Sequence, residues 1–226
     1  MPLSQSVRLV VFDCDGTLVD SQHNICAAMR SAFLGSGCDA PTDEAIRRIV
    51  GLSLGEAVAS LAPNSSTPEL ETIMAGYKEN FMLLRKQPDY NEPLFPGIQE
   101  TLRHLDGEGF LLAVATGKSQ RGLRATLDHH GLKSYFVTLQ TADDAPGKPH
   151  PGMLEQAMAE AGARPEQTVL IGDTVFDMAM AGNAGTTGIG VSWGYHGVDE
   201  LTAAGAHEIV RECEQLVPAV RRLIGP

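Results

Sequence analysis

The sequence predicts an α/β protein whose core is a doubly wound parallel sheet, with an all-helical domain inserted near its start. Three observations predict this class. Five short apolar runs are bounded by turn residues, helix-period segments lie between most of them, and one long stretch carries helical patterns alone. Strands that alternate with helices of this length form a parallel sheet covered on both faces, and ligands bind beyond the carboxyl ends of its strands.

The five apolar runs are interpreted as buried strands. Each is a short apolar run bounded by turn residues, as expected for a strand that is covered on both faces. They comprise residues 8–12, 110–116, 135–141, 168–172 and 186–193.

The segments between the later strands have the spacing of amphipathic helices. Each ends near a glycine, which is the residue that most often closes a helix at its C-terminus. They are IQETLRHLDGEG, SQRGLRATLDHHG and PGMLEQAMAEAGA.

The stretch from 21 to 90 interrupts the alternation, because it shows helical patterns without a strand pattern between them. Pro93 and Pro96 then indicate a return to the sheet. We therefore predict a core domain made of residues 1–20 and 91–226, and a helical domain made of residues 21–90.

Composition excludes several classes of protein. The net charge of -11 over 226 residues argues against a nucleic-acid-binding surface, which normally carries a basic stripe. No run reaches the ~18 apolar residues of a membrane helix, and the start lacks the pattern of a secretion signal, so we expect a cytoplasmic protein.

The four cysteines form no C-x-x-C pair, which argues against a zinc site and indicates free thiols. The sequence leaves open a monomer or a homodimer.

A pair of carboxylates, Asp13 and Asp15, follows the first apolar run. At the end of a strand, the first could attack a phosphoryl group while the second donates a proton to the leaving oxygen and later activates water. Gly16 permits a tight turn after them. The same D-x-D-G pattern is also compatible with a turn that contains a capping aspartate, so by itself it leaves both interpretations open.

A second carboxylate pair, Asp173 and Asp177, follows the run at 168–172. Their spacing of four brings both side chains towards one face of an early helix. Clustered carboxylates suit Mg²⁺, and Asp13 and Asp173 are candidate direct ligands. The backbone carbonyl of Asp15 is a further candidate ligand, and Asp177 could contact the ion through water. Asp173 could also cap a helix, and the two roles are compatible.

Two further clusters offer groups that suit phosphate. Thr116 supplies a hydroxyl at the end of the second apolar run, and Gly117 with the two residues after it exposes backbone N–H groups before a helix. Lys148 lies in a proline-flanked loop that could hold its ammonium against the nucleophile and the phosphate. A single loop lysine is usually solvated, so the assignment depends on the other clusters.

Arg48, with its neighbour Arg47, could place a guanidinium over the site to bind a substrate carboxylate or a second phosphate. Both could equally lie on the solvated face of a helix. Trp193, Tyr195 and His196 follow the last apolar run and are assigned no role.

Taken together, the four clusters resemble the motifs of the haloacid dehalogenase superfamily, in order FDCDGT at 12–17, ATG at 115–117, Lys148 in GKPHP, and GDTVFD at 172–177. The resemblance implies a Rossmann-like core and an α-helical cap domain. It implies that Asp13 forms an aspartyl-phosphate, that Asp15 is the general acid and base, and that Thr116 and Lys148 orient the phosphoryl group. It further implies that the late acidic pair holds magnesium.

Within the superfamily, LVDSQHNICAAM, GLSLGEAV and LFPGIQETL most resemble the phosphoglycolate-phosphatase-like branch. The resemblance implies a Mg²⁺-dependent phosphatase acting on a small-molecule phosphate monoester. A sugar-phosphate phosphomutase and an inorganic pyrophosphatase are the alternatives. Ile25 stands where mutases of the superfamily commonly carry a histidine, which disfavours the first of them.

Overall fold

The computed structural model describes residues 7–225, so the first six residues of the predicted core domain and Pro226 lie outside the described part. Its strands form one parallel sheet in the order β3-β2-β1-β4-β5-β6. They are β1 (Leu9–Phe12), β2 (Leu111–Thr116), β3 (Phe136–Thr141), β4 (Thr168–Gly172), β5 (Thr187–Val191) and β6 (Glu208–Val210).

Helices cover both faces of this sheet. They are α5 (Ile98–Gly107), α6 (Gln120–His129), α7 (Gly152–Ala161), α8 (Val175–Asn183), α9 (Val198–Ala203) and α10 (Leu216–Ile224). The five predicted strands are confirmed in place, and β6 is an additional edge strand. It was missed because a three-residue strand is too short to show a periodic pattern.

Strand β1 shows why two layers of helix are needed. Its side chains alternate, so Val10 and Phe12 join the apolar core beneath α5, α6 and α10, while Leu9 and Val11 join the core beneath α7 and α8. All four are fully buried. A central strand that is apolar on both faces requires a cover on each side, which is the doubly wound arrangement that was predicted.

The inserted stretch consists of α1 (Gln22–Gly35), α2 (Asp43–Arg47), α3 (Leu54–Leu61) and α4 (Thr67–Leu84). These helices enclose an apolar core of their own, which includes Met29, Phe33, Ile46, Val58 and Ile73. The predicted fold class, an α/β core with an inserted helical cap, is confirmed.

Two chain segments connect the helical insertion to the sheet, and they lie side by side. The Asp20 amide donates to the Pro93 carbonyl over 2.8 Å, and the Phe95 amide donates to the Leu18 carbonyl over 3.0 Å. The predicted division at residues 20/21 and 90/91 falls at this paired connection and stays a prediction. Among residues 7–225, no helix combines the length and apolar character needed to cross a membrane.

Candidate active site

The sheet brings three of the four polar clusters to one edge. Strands β2, β1 and β4 are neighbours, and they end at Thr116, Phe12 and Gly172. The amide of Asp13 still bonds to the Ile171 carbonyl of β4 over 2.9 Å, so Asp13 emerges directly from the sheet, beside Asp173. The carboxyl ends of parallel strands are where ligands bind in this class of fold.

Lys148 contacts two of the site carboxylates. Its Nζ is 2.8 Å from Oδ1 of Asp13 and 2.6 Å from Oδ1 of Asp177, and all three side chains are buried. Asp13 Oδ2 has no hydrogen-bond partner among residues 7–225. The lysine is therefore a component of the site and not the solvated loop residue that its sequence context allowed.

Asp173 and Asp177 are fixed by different neighbours. Asp173 accepts a hydrogen bond from the Thr17 hydroxyl over 2.8 Å and one from the Tyr195 amide over 2.9 Å. Asp177 belongs to the capping box that begins α8, since its Oδ2 accepts from the amide and hydroxyl of Thr174. The residue that caps the helix is thus Thr174 and not Asp173. Asp177 contacts both Thr174 in this helix cap and Lys148 in the site.

Asp13, Asp173 and Asp177 form a candidate metal centre. Each offers one oxygen, and these oxygens lie within 4.8 Å of one another in a buried position. Among residues 7–225 these carboxylates form ion pairs with one ammonium, that of Lys148, which contacts Asp13 and Asp177. The described side chains therefore leave negative charge unbalanced. Mg²⁺ prefers carboxylate oxygens and usually keeps several waters, so the donor set fits this ion.

The pKa directions agree with that imbalance. Burial raises the pKa of Asp13 to about 7, and the charge of Asp177 adds to the rise while Lys148 opposes it. Burial, together with the charges of Asp13 and Asp177, also raises the pKa of Asp173 well above its ordinary value. Burial works to lower the pKa of Lys148, but the two aspartates raise it overall, so this lysine stays charged.

Asp15 lies 2 residues after Asp13 and points to a different set of partners. Its Oδ1 accepts a hydrogen bond from the Ser21 hydroxyl and forms an ion pair with Nζ of Lys118 over 2.7 Å. The same ammonium reaches Oε1 of Glu92 at 3.3 Å. The sequence analysis did not predict that the side chains of Ser21, Lys118 and Glu92 belong to the site.

Thr116 and Gly117 occupy the end of β2. The Thr116 hydroxyl accepts a hydrogen bond from the Lys118 amide over 3.3 Å, and its side chain is buried. A Cβ atom on Gly117 would lie 2.9 Å from the Gly51 carbonyl oxygen and 2.5 Å from that of Leu52. The absence of a side chain therefore lets the helical insertion approach the end of β2 closely.

Arg48 is not among the residues gathered around Asp13. Its guanidinium forms two contacts with Glu200 of α9, at 2.8 Å and 2.6 Å, and both side chains are about half exposed. Its predicted role in binding substrate stays a prediction.

A family model described as Haloacid dehalogenase-like hydrolase matches residues 10–191. The chain belongs to this family. The match includes all four polar clusters and the whole helical insertion. The predicted superfamily and the predicted enzyme, a phosphatase of the haloacid dehalogenase type, are confirmed by this match and by the relatives below.

Relatives of this hydrolase extend over nearly its full length. It is 38% identical to a protein named Probable phosphatase IndB from Dickeya dadantii, over 96% of this chain and 94% of the relative. It is 31% identical to a phosphoglycolate phosphatase from Vibrio vulnificus, over 96% and 97% of the two chains. A solved structure of a hydrolase from Pseudomonas syringae shares the fold with a TM-score of 0.85 at 27% identity, covering 98% of this chain and 100% of the other.

Several residues of this hydrolase site were not predicted, because they belong to none of the four motifs. Ser21 and Glu92 lie on the two connecting segments, and Tyr195 lies on the loop after β5. Lys118 was noted only for its backbone. Its sequence position, two residues after Thr116, could have indicated that its side chain lies near the strand ends. No comparable feature of the sequence indicates the position of Glu92.

Proposed function

We propose that this protein is a magnesium-dependent phosphatase that hydrolyses a small organic phosphate monoester, of the phosphoglycolate kind, through an aspartyl-phosphate on Asp13. The observation that carries the proposal is the position of Asp13. Its carboxylate leaves the central strand with Oδ2 unpaired among the described residues, next to a buried ammonium and two more carboxylates. These are the parts that in-line phosphoryl transfer requires.

In the first step, a carboxylate oxygen of Asp13 attacks phosphorus, and the bond from phosphorus to the ester oxygen breaks. Asp15 gives its proton to that oxygen, and the alcohol leaves. In the second step, Asp15 removes a proton from water, the water oxygen attacks phosphorus, and the bond to Asp13 breaks to release phosphate. General acid and base catalysis of this kind contributes about 10²–10⁴-fold to rate.

Asp13, Asp173 and the backbone carbonyl of Asp15 would hold Mg²⁺, with Asp177 reaching it through water. When bound, the ion supplies positive charge for the phosphoryl oxygens. Lys148 binds the phosphoryl group by charge and keeps Asp13 in place, while Thr116 and the Gly117 amide offer donors to the phosphoryl oxygens. The net charge of -11 does not oppose an anionic substrate, because a bound ion, Lys148 and the backbone amide of Gly117 would supply positive charge where the phosphate binds.

We further propose that residues 21–90 act as a cap that closes over the site and excludes water. The contact of Gly51 and Leu52 with Gly117 supports this proposal, since it joins the insertion to the phosphate-binding edge. The phosphoglycolate-like substrate class is supported by the named relatives. A mutase has less support: Ile25, which stands where such enzymes carry a histidine, belongs to the apolar core of the insertion.

The test is a phosphate-release assay over small phosphates, including phosphoglycolate, a sugar phosphate and pyrophosphate, with and without Mg²⁺. We expect release that needs Mg²⁺, stops on chelation and is abolished by Asp13→Asn. Asp128→Asn, which changes an exposed aspartate, is the matched control. Isomerisation of the sugar phosphate without phosphate release would favour the mutase, and activity retained by Asp13→Asn would refute the proposal.

A further inference from the structure

Lys118 and Glu92 are buried charged residues that the chemical steps above do not use. The side chain of Lys118 is 9% exposed and that of Glu92 is 1% exposed. Charged side chains are almost never buried so deeply unless they are paired. Their partners connect them directly to Asp15.

The charges alternate along a chain of four residues. Asp15 pairs with Lys118 at 2.7 Å, Lys118 pairs with Glu92 at 3.3 Å, and Glu92 lies 3.6 Å from Arg85. The hydroxyl of Thr126 also donates to Glu92, over 3.0 Å. Each buried charge therefore has an opposite charge beside it.

The ammonium of Lys118 has little room to move. Besides its two carboxylates, it faces the ring of Phe81 at 5.4 Å from the ring centroid. Burial works to lower the pKa of Lys118, but Asp15 and Glu92 raise it well above its ordinary value, so it stays charged. Glu92 is thus a second carboxylate that holds the ammonium in place beside Asp15.

The two polar contacts that the Asp15 side chain makes within residues 7–225 fall on the same oxygen. The Ser21 hydroxyl and the Lys118 ammonium meet Oδ1, and neither contact involves Oδ2. A carboxyl group anchored by one oxygen has the other in a fixed direction. Oδ2 is then the oxygen available to exchange a proton.

From this geometry we infer that Lys118 is a positioning residue for the general acid, holding Asp15 by Oδ1 so that Oδ2 delivers the proton to the leaving oxygen, and that Glu92 holds Lys118. The inference rests on the proposed function. The proton moves from Oδ2 of Asp15 to the ester oxygen as the bond to phosphorus breaks. Lys118 itself exchanges no proton and touches no reacting atom.

Leaving groups of different basicity distinguish positioning of the acid from a general structural role. Phenolate needs a proton as it leaves, whereas p-nitrophenolate leaves readily without one. kcat/KM reports the steps up to departure of the leaving group, so it isolates the contribution of the acid from later hydrolysis of the intermediate. Neither phenyl phosphate nor p-nitrophenyl phosphate carries a carboxylate that Lys118 could bind.

The experiment compares kcat/KM for these two esters, at saturating Mg²⁺, in the wild type and in Lys118→Met. We expect the variant to lose about 10- to 100-fold on phenyl phosphate and less than about 3-fold on p-nitrophenyl phosphate. Lys118→Arg, which keeps the charge, should restore part of the loss. Lys133→Met removes a lysine from an exposed surface pair with Asp128 and should leave both values unchanged.

Glu92→Gln keeps the shape of the side chain and its contact with Thr126 but removes the charge that holds Lys118. We expect kcat/KM to fall again on phenyl phosphate and not on p-nitrophenyl phosphate, by a smaller factor than in Lys118→Met. Glu92→Gln therefore tests the inference if Lys118→Met does not fold. Equal losses on the two esters in folded variants, or no loss, would overturn the inference. A wild type that releases phosphate from neither these esters nor any other tested phosphate would instead refute the proposed function.

Discussion

Nζ of Lys148 lies 2.8 Å from Oδ1 of Asp13, and both side chains are buried at the end of the central strand. The same ammonium is shared with Asp177, and Asp173 lies in the same cluster without an ion pair to any lysine of residues 7–225. One positive charge is thus opposed by three carboxylates. This imbalance makes the metal-free site a source of instability, and a cation would relieve it.

Asp13→Asn should change how the stability of the metal-free protein depends on pH. The pKa of Asp13 is raised from 3.8 to about 7 on folding. Between these values the folded state keeps a proton that the unfolded state has released, so the wild type loses stability as pH rises from about 4 to about 7. Asparagine has no charge to lose, and the Tm of the variant minus that of the wild type should therefore increase between pH 5 and pH 8.

The measurement is thermal unfolding of both proteins in chelator across this range. Asp128→Asn, on the surface, is the control and should give a flat difference. A flat difference for Asp13→Asn as well would show that the carboxylate is not perturbed in the folded protein.

Magnesium should stabilise the wild type through Asp173. An ion that binds only the folded state adds about 2.7 kcal/mol at a concentration of 100 times its Kd, and each kcal/mol raises the Tm of a protein of this size by about 2–4 °C. Asp173→Asn removes a proposed ligand that is buried, so we expect the Tm of the variant to respond little to Mg²⁺. Thermal melting with Mg²⁺ or chelator measures this, and an undiminished response of the variant would place the ion elsewhere.

Gly117→Ala should separate the helical insertion from the end of β2. The added methyl group would lie 2.5 Å from the Leu52 carbonyl oxygen, which is backbone and cannot rotate away. We expect kcat/KM for phosphate release to fall by at least about 10-fold, because the proposed closure of the insertion would organise the site and exclude water from it. A well-folded variant with full activity would mean that this contact is not needed for turnover.

Gly35→Ala is a matched control for that substitution. Gly35 is the last residue of α1, and an added Cβ would meet nothing within 4 Å. We expect unchanged activity and equal or slightly higher stability, since alanine favours helices more than glycine does.

Arg48→Ala and Glu200→Ala should have the same effect on KM. The guanidinium is held by Glu200, so each variant breaks the same link between the helical insertion and α9. The pair is exposed, and we expect each change to alter stability by less than about 1 kcal/mol. If Arg48 instead binds substrate, Arg48→Ala alone raises KM, and steady-state kinetics of the two variants separates these outcomes.

Much of the fold could be predicted from the sequence because buried parallel strands are continuous apolar runs. Residues 9–12 and 168–172 are fully buried and could be recognised without tertiary information. Strand β6 could not, since three residues have no measurable period. The position of the site followed from topology, because strands β2, β1 and β4 end side by side.

The side chains around Asp15 could not be predicted in the same way. Ser21 and Glu92 come from the two segments that connect the helical insertion to the sheet, and only folding brings them to one place. A single glutamate between Asn91 and Pro93 is, in sequence, a typical exposed loop residue. Its burial follows from the charges of Lys118 and Arg85, whose proximity no local pattern indicates.

The measurement that tests the central claim most directly is chemical trapping of the intermediate during turnover. The enzyme is mixed with Mg²⁺ and a substrate that it hydrolyses, quenched, and treated with borohydride, which reduces an aspartyl-phosphate to homoserine. Peptide mass spectrometry then locates the change. We expect homoserine at position 13, dependent on substrate; homoserine at another aspartate, or none from an enzyme caught in active turnover, would contradict Asp13 as the nucleophile.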